Sequence, residues 1–557
     1  MSCSTEKLSL RDGKTLEIRF RASSGRTADL TWGQQRMAQL MADLQPNNAS
    51  LNLKFAHRIK PGLKADEVAY AVRGMVEACE SARTLFDPDA PSAQQRVIAE
   101  GVLHVAVITA VTATFTSALE SAAELAGAQF GPDDLPVRVG ILTDRNGPAF
   151  VLLAINHLAS DYLGAHRMTW HLRHVLQADF SDGEPSAIHP VDVSHWEGSE
   201  AGRREGARAL LRHERNLARM PQSMLPRLPV EPLHPRYRYV VMQTSAGAWC
   251  LSHLAKRHGV SETAVGHTAL SLVLAHVSGL SRAHLQVCVS NRAGRDTAAV
   301  VGCLTQDVPT CVAIDDADFD ALLRRSAGAV HHAALTGRFP HRGLMEVRER
   351  IETRRGFPLD LSYWLNSRLF VPLPAEAPNA ARIREEVART SVRWLGGDQC
   401  STSTLFCYLD RRDDMLEVLM LVDTAYVAPA EAEQWLRAFE SILVTAVLRP
   451  ELSADALVAE TGVVSFRATD DWVKIDHSWI HLPTTAARLQ AALPGTTLRL
   501  AVEAPDGEAS LVAMVSSPRS GHETSAPPDA DVIEALRGCR VGMRPHRFVS
   551  KAGDVHG

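Results

Sequence analysis

The chain has 557 residues with 59 Lys and Arg against 64 Asp and Glu, a formal net charge of −5. It therefore lacks the basic footprint of a nucleic-acid-binding protein. At 45% hydrophobic and 22% charged residues it is neither disordered nor fibrous, and its length suits three or four domains of about 150 residues each. The opening "MSCSTEKLSLRDGKTLEIRF" is charged throughout and has no apolar signal core. The uncharged stretch 101–119 carries threonines, a serine and a histidine, too polar for lipid, so the expectation is a cytoplasmic protein without a membrane partner. Its 9 cysteines are scattered with no Cys-x-x-Cys spacing, which predicts reduced thiols and no structural zinc.

In chain order, "TLEIRFRA" alternates at period two and predicts a first strand. "TWGQQRMAQLMADL" predicts a helix with Thr31 as its cap. "ADEVAYAVRGMVEACESARTLF" places Val68, Val72, Met75, Val76 and Cys79 on one helical face. Residues 101–119 predict a buried strand running into a helix, and Asn146-Gly147 in "VRVGILTDRNGPAFVLLAI" predicts a hairpin. "GRREGARALLRHERNLARM" is a charged surface helix, and a helical pair broken at Gly259 follows. "RAHLQVCVSNR" predicts a strand ending in a polar corner, and "APAEAEQWLRAFESILVTAVLRP" a long amphipathic helix. After about 460 comes a separate unit of strands and helices, with a Pro/Ser/Gly-rich loop at 516–528.

The chemistry concentrates in "AFVLLAINHLASDYLGAHRMTWHLRHVL", residues 149–176. The apolar run Phe150 to Ile155 stops at Asn156-His157, Asp161 follows, and helical spacing begins. A histidine at a strand end can accept a proton or donate a hydrogen bond to a reacting oxygen; the alternative is a core histidine satisfied by backbone. Asp161 has a second reading of its own, as N-cap of the next helix. His157, His166, His171 and His174 fall close together, but without His-Glu-x-x-His or Cys/His ligand spacing no metal is expected. Glycerolipid acyltransferases place their aspartate five residues after Asn-His; here it lies four after, so that motif is not matched.

His157 and Asp161 resemble the second histidine and the aspartate of the His-His-x-x-x-Asp-Gly motif of nonribosomal peptide synthetase condensation domains. Three further segments are similar to that family's motifs and fall in its order. "LTWGQQRM" resembles the opening motif, with Thr31, Gln34 and Arg36 in register. "DVSHW" (192–196) resembles the crossing into the second lobe. "VSNRAGRDTAAVVGCLTQDVP" resembles the Asn-Arg…Val-Gly-x-Phe-x-Asn-Thr motif, with Arg292, Val301 and Gly302 aligned. The resemblance covers about 28 to 457. Departures are Asn156 for the first histidine, Tyr162 for the glycine, Leu304 for Phe, and Gln306-Asp307 for Asn-Thr. "WVKIDHSWIHL" and "MRPHRFV" resemble the small C-terminal subdomain of adenylating enzymes. Asp476-His477 replaces Arg-Gly there, and Lys551 is a candidate remnant of the lysine motif. An inert docking or packing module is expected, not a working adenylate-former.

The resemblance implies an α/β fold of two chloramphenicol-acetyltransferase-like lobes in a V, with the active site in a tunnel between them. The implied division is 1–188, 189–458, and a small domain at 462–557 whose removal leaves a soluble two-lobed protein. His157 is the implied catalytic residue, and Asp161 with Arg292 the ion pair supporting it. Asn156, Tyr162, Gly164 and Gln306 are placed along the tunnel, the Tyr162 ring turning either into it or aside into the core. No bound cofactor is implied; carrier proteins acting in trans deliver a phosphopantetheine arm with the acyl thioester. The expected reaction is amide formation in secondary metabolism such as antibiotic biosynthesis. An acyltransferase using CoA or a soluble acceptor, and a catalytically silent scaffold for carrier proteins or tailoring enzymes, remain alternatives.

Overall fold

The computed structural model describes residues 14–23, 25–87, 93–177, 188–314, 318–369, 379–493, 497–504, 509–516 and 529–550. The chain divides into two compact units. The first comprises Met1–Ala207, Ser290–Gln306 and Gly337–His341, and the second Arg208–Val289, Asp307–Thr336 and Arg342–Gly557. Lys551 and all but the first residue of the loop expected at 516–528 lie outside the described residues.

The first unit runs β1 (Lys14–Arg21), β2 (Arg26–Asp29), α1 (Trp32–Asp43), β3 (Leu53–Arg58), α2 (Ala65–Ala78), β4 (Thr84–Asp87), β5 (Gln94–Val97) and β6 (Glu100–Thr109). It continues with α3 (Phe115–Ala126), β7 (Val137–Asp144), β8 (Gly147–Ile155), α4 (Tyr162–Met168), α5 (Trp170–Gln177), α6 (Pro190–Glu197) and the start of α7 (Glu200–Leu217). Its main sheet has the order β1-β6-β7-β8-β3, and β2-β5-β4 form a smaller one. β6 and β7 run parallel, while β7 and β8 form a hairpin closing on Asp144↔Gly147, with Gly147 at φ +103. Only a residue without a Cβ takes that backbone angle at little cost, which is what Asn-Gly signalled.

Helix α2 buries Val68, Val72, Met75 and Val76 completely, as their spacing predicts. It ends at Ala78, earlier than the periodicity suggests, because Thr84–Asp87 pairs as a strand with β5. β8 is buried along Phe150–Ile155, the pattern of a strand packed on both faces.

The second unit holds β9 (Tyr237–Thr244), α8 (Ser245–His258), α9 (Glu262–Ser278) and β10 (Arg282–Val289). After the short α10 (Arg295–Ala298) of the first unit come β11 (Gln306–Ala313), α11 (Phe319–Leu335), α12 (His341–Arg355), β12 (Tyr363–Ser367), β13 (Ser391–Asp398), β14 (Leu405–Arg412) and β15 (Met415–Asp423). The sheet order is β11-β10-β12-β14-β15-β9-β13. Gly259 takes φ +63 between α8 and α9, giving the break where the sequence places it. α9 and the helix Pro429–Leu448 pack into one large apolar core with the sheet.

Two expectations about domain limits meet a different arrangement. Residues 290–306 and 337–341 group with the first unit, not the second, because Arg292 and its neighbours bond to Asp161 and the residues around it. The C-terminal segment groups with the second unit. It has a small core of its own around Leu489, Leu498, Ala513 and Val515, yet it also satisfies buried polar groups of that unit. Gln222 donates to the carbonyls of Cys539 (3.1 Å) and Gly542 (2.8 Å), and its backbone N–H donates to Ser478 Oγ at 2.8 Å. The Arg355 guanidinium, 6% exposed, meets Asp476 at 2.7 Å, and Arg540 lies 3.5 Å from the buried Asp360. Severing at 460 would strip these partners from the unit they serve. Among the described residues no helix is long and apolar enough to cross a membrane.

Candidate active site

A tight turn follows β8. Asn156 Oδ1 accepts the Leu158 N–H at 2.9 Å, and the Asn156 carbonyl accepts the Ala159 N–H at 2.9 Å. From Phe150 to Asp161 every residue is buried except His157, which the turn leaves half-exposed. The imidazole is accessible amid an otherwise closed run, whereas a core histidine would be enclosed with its neighbours.

Asp161 realises both readings of its sequence position, one with each oxygen. Oδ1 caps α4 by accepting the Gly164 N–H at 2.9 Å. Oδ2 accepts from Arg292 Nη1 at 2.8 Å, the Leu304 and Thr305 N–H groups at 3.0 and 3.1 Å, and Thr305 Oγ1 at 3.0 Å. The side chains of Asp161 and Arg292 are 4% and 5% exposed. Burial opposes ionisation of Asp161, but the Arg292 charge, its hydrogen bond and the Gly164 and Leu304 N–H groups outweigh it and hold the carboxyl below its usual range. Arg292 Nη2 also donates to the Gly302 carbonyl at 2.8 Å and Nη1 to that of Ser290 at 3.0 Å. The pair thus ties the His157 turn to segment 300–305 and is committed to holding it. It is not poised for proton transfer.

The opening motif serves the same place. Thr31 caps α1, and its Oγ1 donates to the Cys303 carbonyl at 3.3 Å. Buried Gln34 donates to the carbonyl of Leu158, the residue after His157, at 3.3 Å, while Arg36 is half-buried. A Cβ on Gly33 would stand 2.6 Å from the Cys303 carbonyl oxygen, so only glycine permits that approach. In "DVSHW", Asp192 takes both ends of the Arg26 guanidinium at 2.6 and 2.9 Å.

The four residues placed along a tunnel have defined local surroundings. Gly164 is buried, and a Cβ there would meet the Gly302 carbonyl oxygen at 2.7 Å, so the residue packs against that backbone. Asn156 is 7% exposed, with its Oδ1 closing the turn. Gln306 is 2% exposed and donates to the Gly337 carbonyl at 3.1 Å; Oε1 has no hydrogen-bond partner among the described residues. The half-buried Tyr162 ring meets His166 edge-on at 4.6 Å and Phe55 of β3 at 6.1 Å. Of the other histidines, His174 stacks on Trp170 at 4.7 Å, and the side chain of His171 lies outside the description. No group of His, Cys, Asp and Glu among the described residues could hold a metal.

Sequence reasoning missed Cys303. Its Sγ, fully buried, lies 4.0 Å from His157 Nδ1 and 3.9 Å from the Gly33 carbonyl oxygen. Nothing in the spacing of residues 157 and 303 announces that contact.

A sequence profile of the condensation domain matches residues 25–356, well over half of the chain. The chain belongs to the condensation-domain family. No curated protein sequence matches it. Solved structures share the fold at low identity. The condensation domain of the monacolin K polyketide synthase MokA matches with a TM-score of 0.61 at 15% identity, over 78% of this chain and 100% of that one. The X-domain in complex with OxyB from teicoplanin biosynthesis matches at 0.58 and 18%, over 78% and 97%. A holo four-domain nonribosomal peptide synthetase bound to AMP and glycine matches at 0.60 and 12%, over 78% of this chain and 34% of that one. This condensation domain therefore spans about a third of that synthetase's length. Its mixed α/β sheets and helices are those of the condensation-domain fold.

Proposed function

We propose that this condensation domain is an acyltransferase that moves an acyl or aminoacyl group from a carrier-protein thioester to an amine, with His157 as its catalytic residue. The supporting observation is the lone half-exposed imidazole in the buried run 150–161, on a turn held by Asp161 and Arg292. In this reaction the amine nitrogen bonds to the thioester carbon, the carbon–sulfur bond breaks, and the amine proton ends on the departing phosphopantetheine thiol. With Nδ1 facing Cys303, the Nε2 edge of His157 is the one offered to the reacting atoms. There it takes the amine proton or donates a hydrogen bond to the tetrahedral oxygen, worth roughly 10²–10⁴-fold. A thioester is already activated, and an α-amino group with a pKa of about 7.7–8 is partly neutral near pH 7. Little base strength is needed, and positioning of the two reactants supplies most of the rate.

Ester formation, or a CoA donor, is the alternative form of the same transfer. A silent scaffold is the second reading, supported by the departures at Asn156, Tyr162 and Gln306. His157→Ala separates the two. On the catalytic reading, intact-mass analysis of loaded carrier protein mixed with acceptor amine shows transfer slowed roughly 10²–10⁴-fold, with an unchanged melting temperature. Comparable turnover by a well-folded variant removes His157 from the mechanism and leaves the scaffold.

A further inference from the structure

Helix α7 carries a face that no function described above uses. Arg208, Leu211, Arg212 and Arg215 recur at three- and four-residue intervals and so share one side of the helix, and Arg219 follows in the turn after it. The opposite side, with Ala209, His213 and Leu217, is buried. Arg208, Arg215 and Arg219 are exposed, Arg212 is half-buried, and Leu211 keeps 60% of its surface in solvent. Among the described residues none of the four arginines has an ion-pair partner, whereas nearby Arg204 pairs with Glu200 and Arg350 of α12 approaches Glu214 at 3.8 Å.

Four cations on one face with no ion-pair partner among the described residues, in a chain whose net charge is −5, are a local concentration that its overall composition does not require. All four are arginines. The guanidinium fork pairs carboxylates in two places at once and is weakly hydrated, so it suits a contact that excludes water. Arginine is enriched at protein interfaces, and the exposed Leu211 among these arginines adds apolar surface that a partner can remove from water. Nucleic acid fits less well, since a phosphate backbone gains nothing from Leu211 and meets a chain of the same sign.

We infer that the Arg208–Arg215 face, extended by Arg219, is a docking surface for an acidic helix of a partner protein. The partner's carboxylates would be spaced over about 16 Å, three turns at 1.5 Å per residue, around an apolar side chain that meets Leu211. Identifying that partner as the acyl-bearing carrier protein rests on the transfer reading above; the docking surface itself does not.

The test uses the full chain. The probes are a helical peptide with glutamates at the matching i, i+4, i+7 and i+11 positions around a leucine, and a single-stranded RNA oligonucleotide, each followed by fluorescence anisotropy. The wild-type protein binds the peptide, more weakly as salt rises, and Arg208→Glu/Arg212→Glu/Arg215→Glu weakens binding at least about tenfold. Leu211→Ala weakens it with the salt dependence unchanged. Equal binding by wild type and the triple variant, no binding by wild type, or tighter binding of RNA than of peptide would each overturn the inference. With a carrier-borne donor, the triple variant raises KM and leaves kcat unaltered, while a free acyl-pantetheine donor reacts as before. Stripe-dependent peptide binding in a protein that transfers from no carrier would keep the docking surface and overturn the transfer reading alone.

Discussion

At the scale of the residue, the decisive group is Asp161, because one carboxylate does two jobs. Removing it frees the Gly164 N–H at the start of α4 and leaves the Arg292 guanidinium buried without its counter-charge. Breaking a buried pair costs about 3–5 kcal/mol, and a lost cap about 1 kcal/mol. Asp161→Ala should therefore lower stability more than Arg292→Ala, and the double variant should be less damaged than the sum of the two, as chemical denaturation would measure. Additive losses would mean that the two side chains do not meet. Arg292→Lys should not restore the wild type, because an ammonium cannot reach Asp161, Ser290 and Gly302 with one planar group. Gly33 and Gly164 belong to the same design, since each lets segment 302–304 approach within a distance that no Cβ allows.

At the scale of the element, the C-terminal segment behaves as part of the second unit even though its sequence resembles a piece of another enzyme class. The carboxylate of Asp360 accepts from Ser223, Ser362 and Tyr363 and lies beside Arg540, whose guanidinium stands 4.0 Å over the Tyr426 ring. Asp360 is held below its usual range although burial opposes it, with Arg540 the largest favourable influence. A chain ending at 460 loses Arg540 and Asp476 together, leaving Asp360 and Arg355 as underpaired buried charges. Each such loss costs about 3–5 kcal/mol, so the truncated protein should melt well below the full chain or fail to accumulate in soluble form. Equal melting temperatures would show the segment to be a separable module after all. α7 makes the complementary point: its Ala209, His213 and Leu217 side packs into the fold, while its arginine side faces solvent.

At the scale of the whole molecule, buried histidines set the response to acid. Burial, before any neighbouring charge, holds His57, His213 and His267 each near 4. In the unfolded chain they would titrate near 6.5, so as pH falls the unfolded state takes up protons first. Their contribution is complete above about 6.5 and is lost between about 6.5 and 4. Glu197, pushed up to about 8 by burial at the start of α1, acts with the opposite sign. It keeps a proton that the unfolded chain releases near about 4.3, and its contribution fades as pH rises toward about 8. Burial also lowers His284 and raises Glu440, so lowered histidines still outnumber raised carboxylates, which predicts a stability maximum near neutrality and a marked fall well before ordinary carboxylates titrate. Thermal melts from about pH 7 down to about pH 4.5 should show it; a flat profile over that range would contradict it.

The sequence by itself determined what depends on near neighbours: the β7–β8 hairpin from Asn-Gly, the Thr31 cap, the apolar face of α2, and the break at Gly259. Periodicity and backbone permissiveness act over a few residues, so they are legible without a fold. The order of four separated motifs added the family, and with it the pairing expected between Asp161 and Arg292. Tertiary structure alone decided the rest: that segment 290–306 returns to the first unit, that Cys303 stands beside His157, that Gly164 faces backbone, and that the last hundred residues complete the second unit's buried polar groups. These contacts join residues more than a hundred positions apart, where no local spacing records which buried donor will meet which acceptor; that is settled only when the packed chain has to satisfy all of them at once.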